Sequence, residues 1–137
     1  MSFVGGDIIE VTCNHPTLGD KVFSPKAGED VTFDLGGFRT EDDDNQIAGN
    51  AQPIYKLNRR RWMVEMPVAN DMNNNLEYEF LVSLTESPLD SDWTFEHRNG
   101  TVYAASGRPV GDIQLNTNAS QVQLKLSGGG TLSKISG

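Results

Sequence analysis

The sequence predicts a mainly β chain: a β-sandwich or barrel-like domain with one flanking α-helix. Three observations carry that prediction. Short runs of β-branched and aromatic residues recur along the chain, separated by Gly, Asn, Asp and Pro. One stretch, about 74–86, repeats its apolar residues at helical spacing. The composition is lean in apolar residues, 36% of 137 residues with 14 glycines. That suits a loop-rich β domain, or a subunit that completes its core with neighbours. At this length a single domain, 1–137, is expected.

The elements follow in order. Strands are expected at 8–13, 21–23 and 31–35, with breakers at 14–19 and 26–30 between them. In "DVTFDL", Val31, Phe33 and Leu35 alternate with Thr32 and Asp34, the pattern of a strand with one wet face. Gly36-Gly37 ends it, and from about 36 to 53 the periodicity disappears, giving a long connection. A long strand is expected in "YKLNRRRWMVEMPVAND", with Trp62, Val64 and Met66 on one face. Alternation would keep Arg59, Arg60 and Arg61 from forming one basic face, and Pro67 reads as an edge or a strand end. The helix at 74–86 places Leu76, Phe80, Leu81 and Leu84 on one stripe. Asn73 or Asn74 is its expected cap, Glu77 and Glu79 sit at its positive end, and Pro88 stops it. Asn99-Gly100 between "WTFEH" and "TVYAA" predicts a hairpin. A further pair lies in "DIQLNTNASQVQLKLSGGG", where Val122, Leu124 and Leu126 alternate with Gln121, Gln123 and Lys125. A Gly-rich turn at 128–130 leads into a last short strand, "TLSKIS".

The charge balance is 11 basic against 19 acidic residues, a net −8. This argues against stable nucleic-acid binding, which needs Lys and Arg to neutralise phosphates. With one cysteine, Cys13, no intrachain disulfide can form. The N-terminus has no charged-then-apolar pattern of a secretory signal, and no apolar run approaches membrane-spanning length, so a cytosolic origin is expected.

No catalytic constellation emerges, and no cofactor or metal is expected. Asp42, Asp44 and Gln46 match part of a calcium-loop spacing, but the closing Glu and the flanking helices are missing, so a solvated acidic loop is the better reading. Cys13, His15 and His97 are too few and too scattered for a zinc set. A Cys13–His97 nucleophile pair lacks an activating setting. "SGGGT" lacks the Lys-Ser/Thr of a phosphate loop and reads as a turn. Trp62 and Trp93 stand at core-like positions, which counts against a stacking platform for nucleic acid.

The chain resembles phage tail tube proteins of the kind found in contractile-tailed bacteriophages and related prophages. The features that carry the resemblance are "GEDVTFDLGGF", the helix ending in "SP", "DWTFEHRNGTVYAASGRPVGDIQ" with its G-x-P-V-G-D corner, and the closing "KLSGGGTLSKI". Together they span most of the chain. The resemblance implies a sandwich-like fold with one helix and a non-enzymatic structural protein of the virion, made in the host bacterial cytoplasm. It implies hexameric rings stacked into a hollow tube through which DNA passes without sequence-specific contact. Its partners would be copies of itself, the tail sheath, the baseplate and the tail terminator.

On that footing the 39–50 segment is the expected arm to the adjacent ring or subunit, with Arg39, Glu41, Asp42, Asp43, Asp44 and Asn45 as its contact residues. Gln121 and Gln123, on a wet strand face, are candidates to line the lumen; solvent or the sheath are the other surfaces they could face. Other readings are a tail component of the same fold (a baseplate hub, a tube-initiating ring, an injection-system tube) and, from a different class, a carbohydrate-binding sandwich using Trp62, Trp93 or Tyr103. Polymerisation separates the two classes.

Overall fold

The structure, a computed structural model, describes residues 3–74 and 76–136, without the side chains of Asp44 and Ser136. Asn75, within the expected helix range, lies outside the described residues. The strands are β1 (Ile8–His15), β2 (Gly19–Phe23), β3 (Thr32–Asp34), β4 (Gly37–Arg39), β5 (Gln46–Ile47), β6 (Pro53–Ile54), β7 (Asn58–Arg60), β8 (Trp62–Ala69), β9 (Ser91–His97), β10 (Val102–Pro109), β11 (Gln114–Asn116), β12 (Gln121–Gly128) and β13 (Ser133–Ser136). Helix α1 (Leu76–Glu86) lies between β8 and β9, and a single 3-10 turn spans Asp42–Asp44. The chain is mainly β with one α-helix among the described residues.

Two antiparallel sheets face each other. The first runs β2-β1-β9-β10, with β13 on the start of β10; the second runs β3-β8-β12-β11. Alternation puts one apolar row from each strand between them. Val11 and Cys13 of β1, Trp93 and Phe95 of β9, Val64, Met66 and Val68 of β8, and Val122, Leu124 and Leu126 of β12 are all buried in one cluster.

Two corners join the sheets into a ring. At the first, β10 pairs with β9 through Gly107, then pairs with β12 at Arg108 and Pro109. Side chains are excluded there: a Cβ on Gly107 would strike the Ser127 carbonyl and the Trp62 ring, and one on Gly128 would strike the Ser106 carbonyl. Both buried indoles are pinned to this corner. Trp62 Nε1–H donates to the Ser106 carbonyl at 3.1 Å and Trp93 Nε1–H to the Gly107 carbonyl at 3.2 Å. At the second corner the chain leaves β2 and crosses to β8. The Ala69 N–H donates to the Ser24 carbonyl at 2.8 Å and the Lys26 N–H to the Pro67 carbonyl at 3.0 Å. Pairing therefore runs around a closed path, β1, β2, the 24–34 segment, β8, β12, β10, β9 and back to β1.

Several expectations are corrected. Pro67 lies inside β8, not at an end, and β8 is paired on both sides. A residue other than proline would aim its N–H at the Lys26 carbonyl. That carbonyl instead accepts from the Glu29 N–H at 3.4 Å as the chain turns away, so proline costs the ladder nothing. In α1, Leu81 and Leu84 are buried and Phe80 packs on Phe23 with ring centroids 6.1 Å apart, but Leu76, the first helical residue, is half exposed. The helix start is held by Asn70 rather than by Asn73 or Asn74. Asn70 Oδ1 accepts from the Tyr78 N–H at 3.1 Å, and the Glu77 carboxylate accepts from the Asp71 N–H at 2.9 Å, two bonds that tie the first turn to the chain before it. The 36–53 stretch is not an unpaired loop, as described next.

Candidate functional site: an arm and two open sheet faces

Residues 36–61 form an arm. β3 and β8 are neighbours, and beyond them the two chain segments stay paired as they leave the barrel. β4 pairs with β7, and further out β5 pairs with β6. The root is hinged at Gly36 and Gly37, both in the left-handed region at φ +77° and +100°. A Cβ on Gly36 would lie 2.9 Å from the Arg60 carbonyl, so this position requires glycine. Opposite them, Arg61 interrupts the β7–β8 strand.

No residue between Leu35 and Trp62 belongs to the buried core. The apolar side chains of the arm are exposed instead: Phe38 by 60%, Ile47 by 75%, Tyr55 by 64% and Leu57 by 64%. Scattered exposed apolar residues are ordinary, but five on one projecting hairpin, Ile54 included, form a surface outside the buried core. The sequence carried this signal in "PIYKLN", an apolar run adjoining a stretch without periodicity.

Three of the six expected contact residues are used to brace the arm. Arg39 is ion-paired with Asp34 at the root. That contact, with the Gly36 N–H, holds the Asp34 carboxyl below the usual carboxylate range and raises the Arg39 guanidinium. Glu41 pairs with Arg60 at 2.8 Å. Asn45 Oδ1 accepts from Thr40 Oγ1 at 2.6 Å and from the Lys56 N–H at 3.2 Å, tying the 3-10 turn to the returning strand. Asp42 and Asp43 remain exposed at the turn; the Asp44 side chain lies outside the described residues. Arg59, Arg60 and Arg61 border one cavity of about 160 Å³ with Gly37, Gly129 and Gly130. Along β7 alternation holds as expected: Arg59 goes to Phe38 and Arg60 to Glu41. Arg59 stacks over Phe38, with Cζ 4.6 Å from the ring centroid. Among the described residues neither Arg59 nor Arg61 has a carboxylate partner.

Gln121 and Gln123 do lie on an outer sheet face, that of β3-β8-β12-β11. The register adds residues the sequence reading missed: Gln114 lies opposite Gln123 and Asn116 opposite Gln121. Two ion pairs lie at this face, Lys125 with Glu65 at 3.3 Å and Asp34 with Arg39. Pairing between β11 and β12 was legible, but which strand flanks which was not.

The side chains considered for chemistry are dispersed or committed. Cys13 lies opposite Trp93 and His97 opposite Ile8, so the strand register separates that pair. Burial pushes the Cys13 thiol up to about 11, with Asp20 and Asp92 adding to the rise and Ser91 opposing it. His15 is buried. Its Nδ1 accepts from the Thr17 and Leu18 N–H groups at 3.1 and 3.0 Å, so the proton sits on Nε2, which donates to Ser87 Oγ at 3.0 Å. Trp62 and Trp93 are fully buried and so are not on the surface, while Tyr103 is partly buried against Phe33. No group of three His, Cys, Asp or Glu among the described residues could hold a metal ion, and no described helix is long and apolar enough to cross a membrane.

No protein-family model matches this chain, and no curated protein shows significant sequence similarity to it.

Proposed function

We propose that this chain is a structural subunit that assembles with copies of itself into stacked, hexameric rings, forming the hollow tail tube through which phage DNA leaves the virion. The observation that carries the reading is the arm. A closed barrel buries its own core, yet residues 36–61 project from it with Phe38, Ile47, Ile54, Tyr55 and Leu57 uncovered. Such a protrusion gains its stability from a partner, and in a self-assembling chain the partner is the next copy. In this reading the protein is not an enzyme and uses no cofactor; the tail sheath, baseplate and terminator are its other neighbours, and it resides in the virion.

The outer face of β3-β8-β12-β11 supports a lumen role. Gln114, Asn116, Gln121 and Gln123 give amides, and Lys125 with Glu65 and Asp34 with Arg39 are paired beside them. Amides and already paired cations offer phosphates little to condense on, which suits a wall that DNA slides along.

Negative-stain electron microscopy of the purified chain, with light scattering alongside, tests the proposal. Hollow tubes or six-fold rings are expected. A chain that stays monomeric at all concentrations and salts, and that is not recruited onto preformed tail ends, would overturn it. An Asp42→Ala, Asp43→Ala, Asp44→Ala variant that assembles normally would remove the acidic turn as a contact while leaving the apolar arm.

A further inference from the structure

The outer face of the other sheet, β2-β1-β9-β10, has an order of its own. The register lays its side chains in three transverse rows. The middle row is Val22, Thr12, Thr94 and Ala104, all bearing methyl groups. One flanking row is Glu10, Glu96 and Val102; the other is Asp20, Asn14, Asp92 and Ser106. The result is a low, methyl-lined track bordered by four carboxylates. Among the described residues no Lys or Arg stands at these register positions, and none of the four acids is ion-paired. Glu10 and Glu96 are direct cross-strand neighbours, an arrangement that destabilises an isolated sheet.

The arm presents the complement. Its returning segment, 54–61, carries Ile54, Tyr55 and Leu57 beside Lys56, Arg59 and Arg61, and among the described residues none of those three cations has a carboxylate partner. Apolar groups in the middle with cations at the flank match methyls in the middle with carboxylates at the flank. One chain thus holds both halves of a head-to-tail contact, carboxylates on one and cations on the other, that among the described residues make no ion pair within the chain.

Resting on the tube-subunit reading above, we propose that the outer face of β2-β1-β9-β10 is the receptor for the arm of a second copy. The arm strand lies along the methyl row, and Arg59 and Arg61 neutralise Glu10 and Glu96. The contact is heterologous, so it propagates from copy to copy. Neutralising the like-charged pair gives each docking event an electrostatic gain that high salt removes.

Charge reversal with complementation tests this. The variants are Arg59→Glu with Arg61→Glu, and Glu10→Lys with Glu96→Lys. Each is expected to melt as a folded barrel and to form no rings or tubes alone. Mixed in equal amounts they should co-assemble, because the reversed arm of one fits the reversed face of the other and the native arm fits the native face. The milder Glu10→Gln, Glu96→Gln pair, which serves if the lysine variant misfolds, should raise the concentration needed for assembly by about tenfold. Reversal variants that assemble like the wild type, or folded variants whose mixture stays unassembled, would overturn the docking and leave the tube reading standing. A wild-type chain that never assembles overturns the tube reading and this docking with it.

Discussion

Replacing Gly107 with alanine tests the barrel corner. The added Cβ meets the Ser127 carbonyl and the Trp62 ring, and neither is the loose end of a flexible side chain. Backbone at this corner must move, and overpacking of that kind costs about 1–3 kcal/mol. The same movement disturbs the acceptors of two buried indoles, Ser106 and Gly107, at about 1 kcal/mol each. The expected loss is about 3–5 kcal/mol. For a chain of 137 residues the unfolding entropy is about 0.3 kcal/mol per kelvin, so the melting temperature should fall by about 10–17 °C. Urea titration of the monomeric fraction, followed by tryptophan fluorescence, measures it, because both tryptophans sit at the corner. Gly129→Ala is the control: nothing lies within 4 Å of its Cβ and its φ is ordinary, so a change within about 0.5 kcal/mol is expected. A Gly107→Ala protein melting within about 3 °C of the wild type would refute the account of this corner.

Other outcomes follow from single side chains. Cys13 should resist a thiol reagent at pH 8 in the folded chain and react at once in urea. Its thiol is raised from 9.0 to about 11, so the folded state holds that proton more tightly. The resulting stability is complete below the unfolded value and drains away between pH 9 and 11, by roughly 2–3 kcal/mol; a Cys13→Ala variant should lose that slope. His15→Ala strands the Thr17 and Leu18 N–H groups and should cost about 1–3 kcal/mol by denaturant titration. The Asp34 carboxyl, depressed by Arg39, should titrate by NMR below its ordinary range and return toward it in Arg39→Ala. Its contact is present above the ordinary carboxylate value and lost as pH falls through the depressed one, loosening the arm root in acid.

Where local rules governed, the sequence was a good guide. The Asn99-Gly100 hairpin formed between β9 and β10 as expected, with Gly100 at φ +91°. The inward rows of β8 and β12 followed their period-two pattern, and Leu81 and Leu84 marked the buried side of the helix. What failed was set by partners distant in sequence. The helix cap came from Asn70, at the end of a strand rather than in the adjacent turn. Pro67 was tolerated because the Lys26 carbonyl found another donor. The last strand formed as expected, and its partner is β10, a choice no local pattern encodes. At the candidate site, charge and length drew attention to a segment that the structure shows as a paired arm. Arg39, Glu41 and Asn45 serve the arm itself, while its uncovered groups are the aliphatics and aromatics that a search for acids passes over.

The Gly36-Gly37 hinge separates an arm with no core residue from the barrel that holds the core. If the arm is an assembly contact, as proposed, a substitution at Ile47 or Leu57 is expected to leave the melting temperature of the protomer unchanged and to alter only how readily copies join. Under that proposal such a chain can drift toward faster or slower growth, or toward a new neighbour, without first risking the loss of its own fold.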